Sequence, residues 1–266
     1  MRIAVLTDIH GNREAFAAVL ADVAGHGVDR LAILGDIVGY GGDPEWCCDT
    51  AARLVRDGAL CVRGNHDNAA AGAPEAMSSL ARAAIDWTKD RLDAGQKAFL
   101  AGLPLSHEEG DVLFVHASAN DPGAWSYVTS DTRAAPSFRA TKARLILCGH
   151  VHVPLLANCD IGGVVRAQVF RTGLAIPLLP SRRWLAVVGS VGQPRDGVAQ
   201  AAWALVDTVK AEITFRRTPY DTAGAANRIR AAARPGWTSC PDAAPGWGQT
   251  EVREVNLGLR SPRSDR

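Results

Sequence analysis

The sequence predicts an α/β fold, and three observations carry that prediction. In the first half, short apolar strand-like runs alternate with amphipathic helical segments. From about residue 104 onward, strand-like runs separated by turns dominate. Five polar patches, rich in His and Asp, each follow one of the apolar runs.

The first strand is expected over residues 2–7, directly after Met1. Asn12 is a suitable N-cap for the helix that follows. Its Phe16, Val19, Leu20 and Val23 recur at i, i+3, i+4 and i+7, and Gly25 and Gly27 end it. A second strand over 30–34 runs into Gly35-Asp36. Asp43-Pro44 opens a second helix, because proline is tolerated at the first helical position, and Gly58 lies past its end. A third strand over 59–63 leads to Gly64-Asn65-His66-Asp67. Ser78 or Ser79 caps a helix carrying Leu80, Ala84 and Trp87, and a short helix spans about 96–101. This β-α-β-α-β order predicts parallel strands joined by right-handed crossovers.

Later strand-like runs fall at 104–108, 111–116, 144–148, 163–171, 183–188, 200–206 and 209–217. One helix fits 131–141, another 221–233, and a hairpin through Asp207-Thr208 joins the last two strands. The chain divides into a domain over 1–234 and a tail over 235–266 rich in Pro, Gly, Trp and Arg. The tail's Trp237 and Trp247 are expected to pack on the domain or a partner.

Bulk properties exclude some classes. The 266 residues carry a formal charge of +1, which gives no general attraction to nucleic acid or to acidic membrane surfaces. No apolar stretch is long enough to span a bilayer, and the N-terminus lacks signal-peptide character. The six cysteines form no C-x-x-C pair, so neither a disulfide framework nor thiolate zinc ligation is expected. A cytoplasmic, reduced protein follows as the expectation, with homo-oligomer formation left open.

The patches are Asp8-Ile9-His10, Gly35-Asp36, Gly64-Asn65-His66-Asp67, Val115-His116 and Gly149-His150-Val151-His152. They hold five of the seven histidines. Open α/β sheets bind ligands at the carboxyl ends of their strands. Residues two apart in an extended segment point the same way, so Asp8 with His10, and His150 with His152, are each expected to converge on one point or to straddle two nearby points. Carboxylate, imidazole and amide oxygen together suit Mn, Fe and Zn. Taken singly, each patch is weak: Gly35-Asp36 and Gly64-Asn65 are common turn pairs, and His116 alone fits a core histidine. Their joint order carries the signal. His26, at a helix end, and His107, beside Glu108-Glu109, have ordinary structural readings, as do the core tryptophans Trp184 and Trp203.

The order D-x-H, G-D, G-N-H-D, H and G-H-x-H resembles the calcineurin-like metallophosphoesterase superfamily, and within it the bacterial and archaeal predicted phosphodiesterase branch. Gly35–Gly41 resembles the family's G-D-x-V-G-Y-G segment, and Ser190–Gly197 its S-V-G-Q-P-R-D-G segment. The resemblance covers about residues 1–220. It implies a four-layer α/β/β/α sandwich of two mixed sheets and two divalent metal ions, of Mn, Fe, Zn or Ni. Asp8, His10, Asp36 and His152 would hold one ion. Asp36, Asn65, His116 and His150 would hold the other, with Asp36 bridging. His66 would protonate the leaving oxygen or stabilise the charge developing there, and Asp67 would orient it. Arg195 is either a salt-bridged loop residue or a phosphate contact. Asn12 is either a helix cap or a substrate contact, and Tyr40 is a candidate substrate wall.

The implied activity is hydrolysis of a phosphodiester substrate. A phosphomonoesterase or protein phosphatase is the enzymatic alternative, and a scaffold of the same fold is the other.

Overall fold

The computed structural model describes residues 1–232. The expected tail, with Trp237 and Trp247, lies outside the described residues. The first sheet begins as predicted. β1 (Arg2–Leu6), β2 (Arg30–Ile33) and β3 (Leu60–Cys61) are parallel neighbours, linked by α1 (Arg13–Ala24) and α2 (Pro44–Arg56). Asn12 caps α1 by accepting from the Ala15 amide at 3.0 Å.

The 59–63 run forms only two residues of strand. The chain then turns into a helix the sequence reading lacked, α3 (Asn65–Ala70), followed by α4 (Ser79–Arg91), capped by Ser78, and α5 (Ala94–Gly102).

The second sheet contains β4 (Ser106–Glu109), β5 (Val112–Val115), β6 (Leu145–Cys148), β7 (Leu155–Cys159), β8 (Val165–Gln168) and β10 (Arg183–Val187), in the order β4-β5-β6-β10-β7-β8. α6 (Asp131–Ala140) crosses between β5 and β6. β9 (Ile176–Pro177), β11 (Ala201–Asp207) and β12 (Glu212–Thr218) complete the first sheet, in the order β3-β2-β1-β11-β12-β9. α7 (Thr222–Ala231) packs beside α1.

Several expectations are corrected here. β7 was missed because it is a short, wholly apolar-facing strand interrupted by Asn158, whose amide oxygen is satisfied by Arg182 from another part of the chain. The 163–171 run yields only β8, and the two-residue edge strand β9 carried no sequence signal. The 104–108 run is displaced to β4. The β11–β12 hairpin exists, but its turn extends past Thr208 to Ala211, which adopts φ of 53°.

Side-chain alternation builds the layers. Along β1, Ile3 and Val5 face one core, and Ala4 and Leu6 face another. Ile3 and Val5 meet Phe114, Leu147, Leu156 and Trp184 of the second sheet, which forms the inter-sheet core. Ala4 and Leu6 pack with Phe16 and Val19 of α1. On the far side of the second sheet, Val115, Ile146 and Leu185 cover Ala134 and Phe138 of α6. The result is a four-layer α/β/β/α sandwich.

Trp203 of β11 is fully buried, and its Nε1 donates to Thr218 Oγ1 at 2.9 Å. Trp203→Ala should therefore cost about 3–5 kcal/mol, read as a lower denaturant midpoint. An unchanged midpoint would show that the helix-side core does not depend on this ring.

Candidate metal centre

Because β1, β2 and β3 are parallel, and β5, β6 and β10 also run parallel in the second sheet, the chain segments that leave them emerge along one seam. Asp8, Asp36 and Asn65 come from the first sheet. His116, His150 and His152 come from the second. All six lie in one cluster with His10 and His66.

The side chains converge by a route different from strand alternation. Asp8, His10, Asp36, His150 and His152 all adopt positive φ, between 49° and 68°. Each is a left-handed kink in a residue with a side chain, which is a costly conformation that a well-packed surrounding must enforce. The D-x-H and H-x-H pairs thus turn inward through paired kinks and do not rest on an extended pleat.

Backbone carbonyls fix the rings. His10 Nδ1 faces Val38 O at 3.2 Å, His116 Nδ1 faces Leu34 O at 2.7 Å, and His152 Nδ1 faces Gln193 O at 2.7 Å. A carbonyl only accepts, so each Nδ1 carries the proton and each Nε2 is turned inward.

The inward atoms crowd two points. At the first, His10 Nε2 and His152 Nε2 are 3.0 Å apart, and Asp8 Oδ1 is 3.3 Å from His152 Nε2 and 3.8 Å from His10 Nε2. At the second, His116 Nε2 is 3.1 Å from His150 Nδ1, 3.3 Å from Asn65 Oδ1 and 3.4 Å from Asp36 Oδ2. Asp36 Oδ2 also lies 3.6 Å from His10 Nε2, so it faces both points. Its other oxygen accepts from the His66 amide at 2.8 Å.

The cluster fits a cation. Asp8 Oδ1 is buried and has no hydrogen-bond partner among the described residues, while Asp8 Oδ2 accepts from Thr7 Oγ1 and the His150 amide. Burial alone would raise both carboxyls. His152 instead holds Asp8 below the usual carboxylate range, and His116 and His66 do the same for Asp36. Burial pushes His150 down to about 3 and His66 to about 4, and holds His10 well below its ordinary value. Burial would also depress His116, but the Asp36 carboxylate overrides it and pushes His116 up to about 9. Ionised carboxylates and mostly neutral imidazoles make an electron-rich, oxygen-and-nitrogen set that suits a divalent transition metal.

His66 sits beside the two points. Its backbone is on α3, its ring lies 4.8 Å from His10 and 4.7 Å from Tyr40, and its buried Nδ1 has no hydrogen-bond partner among the described residues. A Cβ at Gly39, whose φ is +101°, would stand 2.5 Å from that nitrogen, so only glycine lets the loop lie against the ring.

Asp67 and Asn12 bond within the framework around the centre. Asp67 accepts from the Ile37 amide at 2.8 Å, the Val38 amide at 3.3 Å and the Gly64 amide at 3.1 Å, which uses both of its oxygens. It pins the Asp36 loop to the start of α3 and does not bond the His66 ring. Burial and Asp36 push its carboxyl up to about 7, against the pull of those amides. Asn12 spends its oxygen on the α1 cap and its amide nitrogen on Gly192 O at 2.8 Å. Of the two readings for Asn12, these bonds support the helix cap.

Tyr40 borders the cluster, 4.9 Å from His10, and the Arg195 guanidinium carbon lies 5.8 Å from the Tyr40 ring centre.

Sequence reasoning missed Thr7, Ser190 and the 120s loop. Ser190 Oγ donates to Asp8 O and accepts from the Gln193 amide, both at 2.8 Å. Tyr127 stacks on His150 at 4.2 Å, and Trp125 stands edge-on to His116 at 5.9 Å. Trp125 is held by Glu75 through its indole N–H. Ring contacts of this kind leave no periodic trace in a loop sequence.

Comparison with known proteins agrees with this geometry. The family model for the calcineurin-like phosphoesterase superfamily domain matches residues 1–211. An uncharacterised protein of Methanocaldococcus jannaschii is 35% identical over 242 residues, covering 88% of this chain and 94% of that one. The crystal structure of a metallophosphoesterase from Sphaerobacter thermophilus superposes with a TM-score of 0.77 at 34% identity, over 88% of this chain and 95% of the other. A hypothetical protein from Pyrococcus horikoshii shares the fold, with a TM-score of 0.70 at 19% identity over 89% and 95% of the two chains. With overlapping groups of inward-turned His and Asp at the seam of an α/β/β/α sandwich, and these relatives, the chain belongs to the calcineurin-like phosphoesterase superfamily.

Proposed function

We propose that the protein hydrolyses a phosphodiester using two divalent metal ions. The observation that carries this reading is the pair of donor clusters sharing Asp36 Oδ2. Asp8, His10, Asp36 and His152 would hold one ion, and Asp36, Asn65, His116 and His150 the other. When bound, such a pair acidifies water and neutralises charge on a phosphoryl group. Which of Mn, Fe, Zn or Ni is held depends on geometry and supply.

The chain's own residues would then act on the ester. His66, grouped with His10 and Asp36 and with an Nδ1 unpartnered among the described residues, hydrogen-bonds the leaving oxygen and stabilises charge there. Asp67 acts at one remove, by holding the loop of Asp36 to the helix of His66. Arg195, over the Tyr40 ring, contacts a phosphoryl oxygen. Aromatic rings border both halves of the centre, with Tyr40 beside His66 and Tyr127 beside His150. This supports a substrate with a group on each side of phosphorus, and hence a diester over a monoester. Buried free thiols at Cys47, Cys48, Cys61, Cys148 and Cys159 support a reducing, cytoplasmic setting.

The direct test is to strip the protein with chelator, reconstitute it with each metal, and assay bis(p-nitrophenyl) phosphate against p-nitrophenyl phosphate. The diester should be preferred, and activity on neither substrate with any metal would favour the scaffold alternative. Asp36→Asn should lower metal content at both positions and abolish turnover; a fully loaded, active variant would remove the shared-ligand assignment. His66→Ala should retain metal but lose about a hundredfold or more in kcat. Loss of metal in that variant would make His66 a ligand. Gly149→Ala would place a Cβ 2.0 Å from Thr7 Oγ1 and 2.5 Å from Asp8 Oδ2. Metal content, measured by elemental analysis, should fall in that variant, and normal loading would show that the seam tolerates the methyl group.

A further inference from the structure

The 190–193 segment is tied to the Asp8 loop at several points. Val191 N donates to Thr7 O at 3.0 Å, Gly192 N to Asp8 O at 2.9 Å, and Asn12 Nδ2 to Gly192 O at 2.8 Å. Gly192 lies so close that a Cβ there would stand 1.8 Å from Ile9 O. Gln193 ends this anchored stretch and bonds in two directions. Its backbone carbonyl accepts from His152 Nδ1 at 2.7 Å, and its side-chain Oε1 accepts from Arg195 Nη2 at 2.8 Å. Because a guanidinium only donates, the amide atom facing it must be the oxygen. Pro194 restricts the backbone between the two side chains, and the Arg195 amide donates to His152 O at 3.2 Å.

The choice of a neutral partner matters. The adjacent carboxylate, Asp196, is paired with Arg217. Arg195 is therefore oriented by an amide dipole, with its formal charge uncancelled at that contact. A carboxylate in place of the amide would hold the guanidinium as firmly and cancel that charge.

We propose that Gln193 is a positioning residue that aims Arg195 at the substrate phosphate while preserving its charge, and that its own carbonyl couples this aim to the ring of His152. The proposal rests on the phosphoesterase reading given above. It separates two functions within one residue: substitution of the side chain leaves the carbonyl, and with it the His152 bond, in place.

The test uses the full chain loaded with manganese, with inorganic phosphate as the binding probe and bis(p-nitrophenyl) phosphate as substrate. Gln193→Glu should keep its manganese content and thermal midpoint while raising the phosphate Kd and the KM by about tenfold or more, with a smaller change in kcat. Gln193→Ala, which frees Arg195 without neutralising it, should give a smaller rise. In an Arg195→Ala background the two substitutions should become indistinguishable. If Gln193→Glu does not fold, Gln193→Ala with and without Arg195→Ala carries the same non-additivity test.

Wild-type phosphate affinity in Gln193→Glu, a penalty that persists without Arg195, or loss of manganese would each overturn the proposal. A wild-type protein that neither binds phosphate nor turns over the diester would overturn the phosphoesterase reading along with it. Normal wild-type turnover with unaltered variants would overturn this inference alone.

Discussion

Three backbone carbonyls, those of Leu34, Val38 and Gln193, hold the centre in its working form. Each takes the Nδ1 proton of a different histidine, and so turns Nε2 toward the two shared points. Without that constraint the imidazoles would be free to exchange tautomers and rotate, and the cluster would be a group of polar rings with no common direction. The carbonyls can do this because they sit at fixed distances from strand ends. Leu34 and Val38 follow β2, and Gln193 follows β10. Sheet geometry is thereby converted into the protonation state of a side chain.

The cost of the arrangement is concentrated in the backbone. Left-handed kinks at Asp8, His10, Asp36, His150 and His152 cost on the order of 1–2 kcal/mol each for residues with a Cβ. Burial of ionised carboxylates adds to this. The apolar layers offset it: the inter-sheet core and the α1 face pack fully buried side chains immediately behind the loops. The strain is local, at the ligands, and the compensation comes from the strands that lead into them.

Much of this was legible in the sequence, because the signals were local. Phe16, Val19 and Val23 declare one helix face, Asn12 and Pro44 mark helix starts, and the ordered His and Asp patches name the cluster. Other features depend on partners far away in the chain. Asp67 reads as a neighbour of His66, yet one of its oxygens is claimed by amides some thirty residues earlier and the other by the Gly64 amide. Asn12 reads as free to meet substrate until Gly192, 180 residues later, takes its amide. β7 was hidden because it lacks alternation, being covered on both faces, and α3 because six residues are too few for a periodic pattern. Asp8 and His10 approach one another through positive φ and not through an extended pleat, and positive φ at a non-glycine residue leaves no mark in composition.

Each donor cluster draws on both sheets: Asp8 and His10 meet His152 in one, and Asp36 and Asn65 meet His116 and His150 in the other. β1, which leads to Asp8, also lacks its antiparallel neighbour until β11 at Ala201–Asp207 has been made. Neither sheet alone therefore owns a finished centre. The first sheet carries Asp8, Asp36 and Asn65 apart from His116, His150 and His152, and its central strand β1 depends on β11, some two hundred residues further on. A site divided in this way is made by the closing of one sheet on the other, so its geometry reports on the whole sandwich and on neither half alone.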